Sequence, residues 1–180
     1  LQYLEKAAAI HPGDQVALAG DFRPSTPRIM TAAAAAVADL GYRPVNCGNI
    51  PTPALAAYAI GNQAASLMVT GSHIPDDRNG IKFNTPDGEV LKADEAGIRE
   101  QVVCVARSLF DERGFFVAPP PLPAVDNVAL RSYVARYLDF LPAQCLQGMR
   151  VLVYEHSSVA AGAMTEIFGG LGADVVAVHD

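Results

Sequence analysis

The sequence has few of the residues that mark secreted or zinc-binding proteins. Its 180 residues include no tryptophan and only three cysteines, Cys47, Cys104 and Cys145, which are widely spaced. Without a Cys-x-x-Cys pair, the sequence indicates neither a zinc knuckle nor a disulfide framework. We therefore expect three reduced cysteines, each a small buried hydrophobic residue, in a cytoplasmic protein.

Charge and long apolar runs are also limited. Charged residues make up 18% of the chain, and the net charge is -6. An acidic chain is a poor general ligand for nucleic acid or anionic membrane surfaces, so we predict neither partner. The alanine-rich run at 31–42 is interrupted by Asp39, and no apolar run is long enough to cross a bilayer. The chain starts without methionine and stops at Asp180, where a predicted strand ends, so we expect truncation at both ends.

Apolar stretches alternate with helical patterns in the first half of the chain. Buried strands are predicted at 15–20 and 65–70, a short strand at 42–48, and helices at 25–41 and 52–62. Ser25 or Thr26 is expected to cap the first of these helices. This order predicts an α/β protein, a three-layer α/β/α fold with a mixed, mostly parallel sheet.

Two further elements are predicted before residue 111. A hairpin is expected at 80–91, with its turn at Pro86-Asp87-Gly88. An amphipathic helix is expected at 93–110, because four apolar residues recur there at helical spacing, namely Ile98, Val102, Val105 and Leu109.

Prolines 119, 120, 121 and 123 predict a stiff linker at 119–126. We therefore predict one domain at 1–118 and the first part of a second, similar domain at 127–180. The second part is predicted to contain a helix, a strand, a helix and a strand, at 128–141, 150–155, 159–172 and 173–180. Two strands and one crossover helix cannot cover both faces of their sheet.

A polar loop, TGSHIPDDRNGIK at 70–82, leaves a predicted buried strand at its carboxyl end. Ligands bind at that edge of parallel sheets. Ser72 does not fit a hydrolase nucleophile elbow, because Thr70 and Ile74 stand where that motif needs glycine. The adjacent His73 is a poor base for Ser72, since neighbouring side chains of an extended loop diverge.

This loop resembles the phosphoserine loop of the α-D-phosphohexomutases. The usual pattern is Thr-Ala-Ser-His-Asn-Pro, a polar stretch, Asn-Gly, a hydrophobic residue and Lys. The matching residues are Thr70, Ser72, His73, Pro75, Asn79, Gly80 and Lys82. Gly71 and Ile74 depart from the pattern, which has alanine and asparagine there. Upstream, GDFRPS resembles the family's Gly-x-Asp-x-Arg-x-Ser segment, with Arg23 as its arginine. The resemblance covers about 12–113 and continues more loosely into the second part.

The resemblance implies the fold of the first three phosphoglucomutase domains and a reversible exchange between hexose 6-phosphate and hexose 1-phosphate. Ser72 would carry the phosphate and pass it through a hexose 1,6-bisphosphate. Lys82 would act as general acid/base, Arg23 would clamp a phosphate, and His73 would orient the phosphoserine or a sugar hydroxyl. All three side chains would bind substrate.

Mg²⁺ is the implied cofactor, with the Ser72 phosphate as one ligand. The family's aspartate ligands and sugar-binding loops do not occur in this chain, so the segment alone is expected to be inactive and to work with the remaining domains of its enzyme. The Ser-His-Ile-Pro form favours a phosphomannomutase. A phosphoglucosamine mutase stays open, as does a non-catalytic phosphosugar-binding domain whose N–H groups at 71–73 cradle an anion.

Overall fold

A computed structural model of the chain describes residues 1–7 and 9–179. The first part forms a five-stranded sheet in the order β2-β1-β3-β4-β5. Its strands are β1 (Gln15–Gly20), β2 (Arg43–Asn49), β3 (Ala65–Val69), β4 (Ile81–Thr85) and β5 (Gly88–Glu89). The first three strands are parallel, and the hairpin of β4 and β5 adds two antiparallel strands. The predicted mixed, mostly parallel sheet is confirmed.

Four helices accompany this sheet. They are α1 (Gln2–Lys6), α2 (Thr26–Asp39), α3 (Thr52–Gly61) and α4 (Lys92–Arg99). The layers follow from alternation along β1, which is buried on both faces. Val16 and Leu18 pack with buried residues of α2, whereas Ala17 and Ala19 pack with buried residues of α3. The central strand therefore has a helix on each side, which is the predicted three-layer arrangement.

The helix predicted at 93–110 is wrong in length. α4 ends at Arg99, and only a short 3₁₀ turn forms later, at Arg107–Leu109. Val102 and Val105, which the prediction placed on a buried side, are 80% and 56% exposed. β-Branched residues lose side-chain freedom in a helix, and a helix without a buried face lacks the packing that normally stabilises it.

The second part contains α5 (Val128–Phe140), β6 (Arg150–Tyr154), α6 (Ala161–Gly170) and β7 (Asp174–Val178). β6 and β7 are parallel, as expected of a βαβ unit. The final strand was predicted to reach Asp180, which lies outside the described residues. Buried residues of α5 and α6 form a small core beside this pair, while Leu152 on β6 is 66% exposed. The pair therefore leaves apolar surface uncovered.

The proline-rich segment 119–126 is bonded to the first sheet. Asn46 on β2 donates through Nδ2 to the carbonyl of Pro123 (2.7 Å), and the N–H of Asp126 donates to the carbonyl of Asn46 (2.8 Å). Ala129 of α5 is buried in the same cluster as α3, whereas Val134 belongs to the core of the second part. The boundaries at 118 and 127 stay a prediction.

The cysteine expectation is confirmed for one residue and wrong for two. Cys47 is buried, and burial together with the nearby Asp126 charge raises the pKa of its thiol to about 11. Cys104 and Cys145 are exposed, because the segments that carry them do not enter a core. None of the described helices has the length and apolar character needed to span a bilayer.

Candidate functional site

Two loops meet at the carboxyl edge of the sheet. β1 and β3 are neighbours, with Gly20 opposite Val69, so the residues that follow them begin side by side. The N–H of Asp21 donates to the carbonyl of Val69 (3.0 Å). The N–H of Thr70 donates to the carbonyl of Gly80 (3.0 Å), which closes the loop 71–79 where β4 begins. The two segments singled out from the sequence therefore form one site.

Asp21 is the centre of this site, although no role was predicted for it from the sequence. Its Oδ1 accepts from the Thr26 hydroxyl (2.6 Å) and the Arg23 N–H (3.0 Å). Its Oδ2 accepts from Arg23 Nε (3.1 Å), the Thr70 hydroxyl (2.9 Å) and the Gly71 N–H (3.3 Å). Burial alone would raise the pKa of the carboxyl, but these hydrogen bonds outweigh it and hold the pKa below its usual value. The family's Gly-x-Asp pattern was the available signal.

The Arg23 side chain lies inside the loop, 9% exposed. An arginine has five N–H donors. Nε uses its one donor on Asp21, and the two terminal nitrogens donate to four loop carbonyls. These bonds go to Pro75 (2.7 Å), Arg78 (3.1 Å), Ser72 (3.2 Å) and Ile74 (2.7 Å). All five donors are thus engaged by this chain. The predicted role of Arg23 as a phosphate clamp stays a prediction, but this arrangement leaves it no donor for a phosphate.

Gly71 allows the guanidinium to lie where it does. A Cβ added at Gly71 would lie 2.5 Å from Arg23 Cζ and 2.6 Å from Nε, closer than side-chain atoms approach one another. Glycine at position 71, where the family pattern has alanine, therefore leaves the space that the buried Arg23 side chain occupies.

Ser72 has the left-handed backbone conformation, with φ of 52°. That conformation costs a residue other than glycine about 1–3 kcal/mol, and it persists only where the surroundings hold the residue in it. Here the Ser72 N–H donates to the Thr70 hydroxyl (3.1 Å), and its carbonyl accepts from Arg23. The residue is exposed, and its hydroxyl makes no hydrogen bond with the described part of the chain. Ser72 is therefore fixed by its backbone while Oγ faces outward.

Asn79 fastens the far end of the loop to α2. Its Nδ2 donates to the hydroxyls of Ser25 (3.0 Å) and Thr26 (2.9 Å), and its Oδ1 accepts from the Gly80 N–H (2.9 Å). Ser25 occupies the N-cap position of α2, as predicted, but neither its side chain nor that of Thr26 bonds the first turn of the helix. Both hydroxyls instead contact the loop.

Lys82 and His73 are both exposed. Lys82 lies opposite Met68 on β3, one residue from the start of β4, and makes no hydrogen bond or ion pair with residues 1–7 or 9–179. Ile81 and Phe83 alternate with it and line a cavity beside α2. His73 likewise has no side-chain partner in the described ranges. The amine and the imidazole are thus available to a ligand, and their roles stay predictions.

The described residues do not complete a metal site. Residues 1–7 and 9–179 hold no cluster of three or more His, Cys, Asp or Glu side chains that could bind an ion. The carboxylate of Asp21 is occupied by five donors, and Asp76 is 93% exposed and lies 3.4 Å from Arg23 Nη1. A phosphate on Ser72 could supply one hard oxygen ligand for Mg²⁺, but the described residues offer no cluster that would complete its coordination.

The chain is similar to known proteins in sequence and in fold. Residues 1–104 match the profile of a family described as "Phosphoglucomutase/phosphomannomutase, alpha/beta/alpha domain I". The chain is 46% identical to a phosphomannomutase of Sinorhizobium fredii over 94% of its length, and 40% identical to one of Salmonella muenchen over 91%. It is 33% identical to a phosphoglucosamine mutase of Solibacter usitatus over 97%.

The matched parts are only a fraction of those proteins. The chain spans about a third of the length of these relatives, namely 35%, 32% and 38%. A solved structure of a phosphoglucomutase/phosphomannomutase family protein from Burkholderia thailandensis superposes with a TM-score of 0.70. At 24% identity, over 98% of this chain and 37% of that one, the likeness supports the fold.

Proposed function

We propose that the complete protein interconverts hexose 6-phosphate and hexose 1-phosphate through Ser72. The proposal starts from the fact that this chain belongs to the phosphoglucomutase/phosphomannomutase family. The observation that carries this proposal is the outward-facing Ser72 hydroxyl on a loop whose backbone is fixed by Thr70 and Arg23. Phosphoryl transfer needs little covalent chemistry from a protein beyond positioning and charge neutralisation. A pre-shaped loop is therefore the part of the machinery that this chain can supply.

The reaction uses Ser72 twice. A sugar hydroxyl attacks the phosphorus of phosphoserine, and the bond from phosphorus to Ser72 Oγ breaks. The hydroxyl proton passes to the Lys82 amine, which then protonates the leaving Ser72 Oγ. The resulting bisphosphate turns over in the site. Ser72 Oγ then attacks the phosphoryl group at the other end, and Lys82 carries the Ser72 proton to the sugar oxygen that leaves. Lys82 suits this exchange because its amine has no partner among residues 1–7 and 9–179.

His73 is proposed to orient the phosphoserine or a sugar hydroxyl. Of the three N–H groups suggested to cradle an anion, Gly71 donates to Asp21 and Ser72 donates to Thr70. Only the N–H of His73 has no partner within the described ranges. A single N–H makes a poor anion cradle, which disfavours the non-catalytic binding domain and supports covalent attachment at Ser72.

Mannose phosphate is the proposed substrate, because relatives named phosphomannomutase are 46% and 40% identical and the phosphoglucosamine mutase is 33% identical. Glucosamine phosphate is the second candidate. When Mg²⁺ binds, it neutralises charge on the phosphate; we propose that the remaining ligands lie in other domains of the same protein. We also propose a cytoplasmic location and the division into 1–118, 119–126 and 127–180.

The test uses protein expressed from the complete gene. It is incubated with magnesium, a hexose 1,6-bisphosphate activator and either mannose 1-phosphate, glucose 1-phosphate or glucosamine 1-phosphate, and products are followed by ³¹P NMR. We expect mannose 1-phosphate to react fastest and Ser72→Ala to abolish conversion. Ser157→Ala is the matched control, because Ser157 shares the left-handed backbone (φ 54°) but lies in the second part. Full activity in Ser72→Ala, or no conversion of any sugar, would contradict the proposal.

A further inference from the structure

Arg23 links two loops through its hydrogen bonds. The residue belongs to the loop after β1, yet four of its five donors end on carbonyls of the loop after β3. The bonded carbonyls span residues 72–78, so one side chain sets the path of that whole segment. Its planar fork is rigid, and few side chains could satisfy four inward-facing carbonyls at once.

Asp21 fixes this arginine and reaches Ser72 by a second route. Its Oδ2 accepts from Arg23 Nε and from the Thr70 hydroxyl. That hydroxyl in turn accepts from the Ser72 N–H (3.1 Å). Ser72 is therefore held from both sides: Asp21 acts on its N–H through Thr70 and on its carbonyl through Arg23.

The charges of Asp21 and Arg23 favour a structural role for this ion pair. Arg23 and Asp21 bond each other (3.1 Å), with side chains 9% and 17% exposed, so the pair carries no net charge. A buried ion pair is stable when its remaining donors and lone pairs are satisfied, and here every guanidinium donor is satisfied. Drawing the arginine toward a substrate phosphate would break four carbonyl bonds and leave the Asp21 carboxylate without its cation.

We propose that Asp21 and Arg23 are positioning residues that hold Ser72 in its left-handed conformation for phosphoryl transfer, and that Arg23 does not contact the substrate. This inference rests on the proposed function of Ser72. In this proposal Asp21 and Arg23 orient Ser72 Oγ. The exposed His73 and Lys82, together with the rest of the protein, bind the substrate.

The test compares Arg23→Lys and Asp21→Asn in the complete protein. Two quantities are measured: hydrogen exchange of the amides of Gly71 and Ser72, and kcat and KM for mannose 1-phosphate. We expect exchange at both amides to accelerate and kcat to fall by about 10- to 100-fold, since small misplacement of a reacting group costs that much. KM should stay within about twofold of wild type, because no substrate contact is lost. Arg28→Lys is the matched control, since Arg28 stacks over the Phe115 ring (4.5 Å) outside both loops.

A rise in KM with unchanged amide exchange would overturn the inference and favour the phosphate clamp. If Asp21→Asn does not fold, as judged by circular dichroism, Arg23→Lys decides alone, because lysine keeps the charge and loses the fork. If the wild-type protein shows no transfer through Ser72, the proposed function fails. The exchange measurement still reports whether the pair holds the loop.

Discussion

Replacing Gly71 with alanine is the smallest change that should disturb the loop. The added Cβ would lie 2.5 Å from Arg23 Cζ, 2.6 Å from Nε and 2.9 Å from Nη2. Ordinary contact between such atoms is about 3.5 Å, so the guanidinium must move by roughly 1 Å. It cannot yield as a flexible chain end would, because five hydrogen bonds hold it.

The free energy lost when the Arg23 guanidinium moves by this distance can be estimated. The bonds from the terminal nitrogens of Arg23 to the loop carbonyls measure 2.7–3.2 Å, and lengthening them by about 1 Å takes them beyond hydrogen-bonding range. Inserting one extra carbon into a packed site costs about 1–3 kcal/mol. Taking the middle of that range, about 2 kcal/mol, the melting temperature of a chain of this size should fall by about 4–8 °C.

Thermal unfolding followed by circular dichroism measures this effect. Gly162→Ala in α6 is the matched control, because a Cβ there meets nothing within 4 Å. Alanine favours a helix, so that variant should be as stable as wild type or up to about 1 kcal/mol more stable. In an Arg23→Ala background, Gly71→Ala should cost little, since the clashing group is gone. Equal melting temperatures for Gly71→Ala and wild type would refute the packing of Arg23 against Gly71.

Three further outcomes are expected. At pH 8 a thiol reagent should label Cys104 and Cys145 and spare Cys47 in the folded protein, as peptide mass mapping would show; labelling of all three would contradict the burial of Cys47. Because folding lowers the pKa of Asp21, its stabilisation is complete above its unfolded pKa of about 3.8 and is lost as pH falls through the lower folded value. Denaturant unfolding should therefore show that Asp21→Asn lowers the free energy of unfolding most near neutral pH and least in acid. Lys82→Met in the complete protein should lower kcat by at least about 100-fold, measured in the mutase assay, without lowering the melting temperature.

The sheet and the meeting of its two loops were predictable from the sequence. β1 is buried on both faces and closes with Gly20, and β3 has the same character, so parallel neighbours with loops at one edge followed from pattern alone. Ser72 stood out by its place in the loop and by the resemblance of that loop to a known family.

The hydrogen-bond partners of the polar side chains within the site were not predictable from the sequence. Arg23 was expected to face a substrate phosphate, because a sequence does not show which acceptors surround a guanidinium. Asp21 was passed over for the same reason, although it accepts from five donors. Ser25 and Thr26 were expected to cap α2. Ser25 does occupy the N-cap position, but both hydroxyls accept from Asn79, and that of Thr26 also donates to Asp21.

Errors outside the site share a cause. The pattern from Ile98 to Leu109 has helical spacing, but the helix ends at Arg99 and Val102, Val105 and Leu109 are exposed. The exposed Cys104 lies in the same segment. Tertiary packing, which a local pattern does not contain, decided both outcomes.

The central claim is that Ser72 accepts a phosphoryl group. The most direct measurement is the mass of the complete protein after incubation with a hexose 1,6-bisphosphate and magnesium, followed by peptide mapping. The account predicts one added phosphoryl group, located on Ser72 and absent in Ser72→Ala. An unmodified Ser72, or a phosphoryl group that persists in Ser72→Ala, would contradict it.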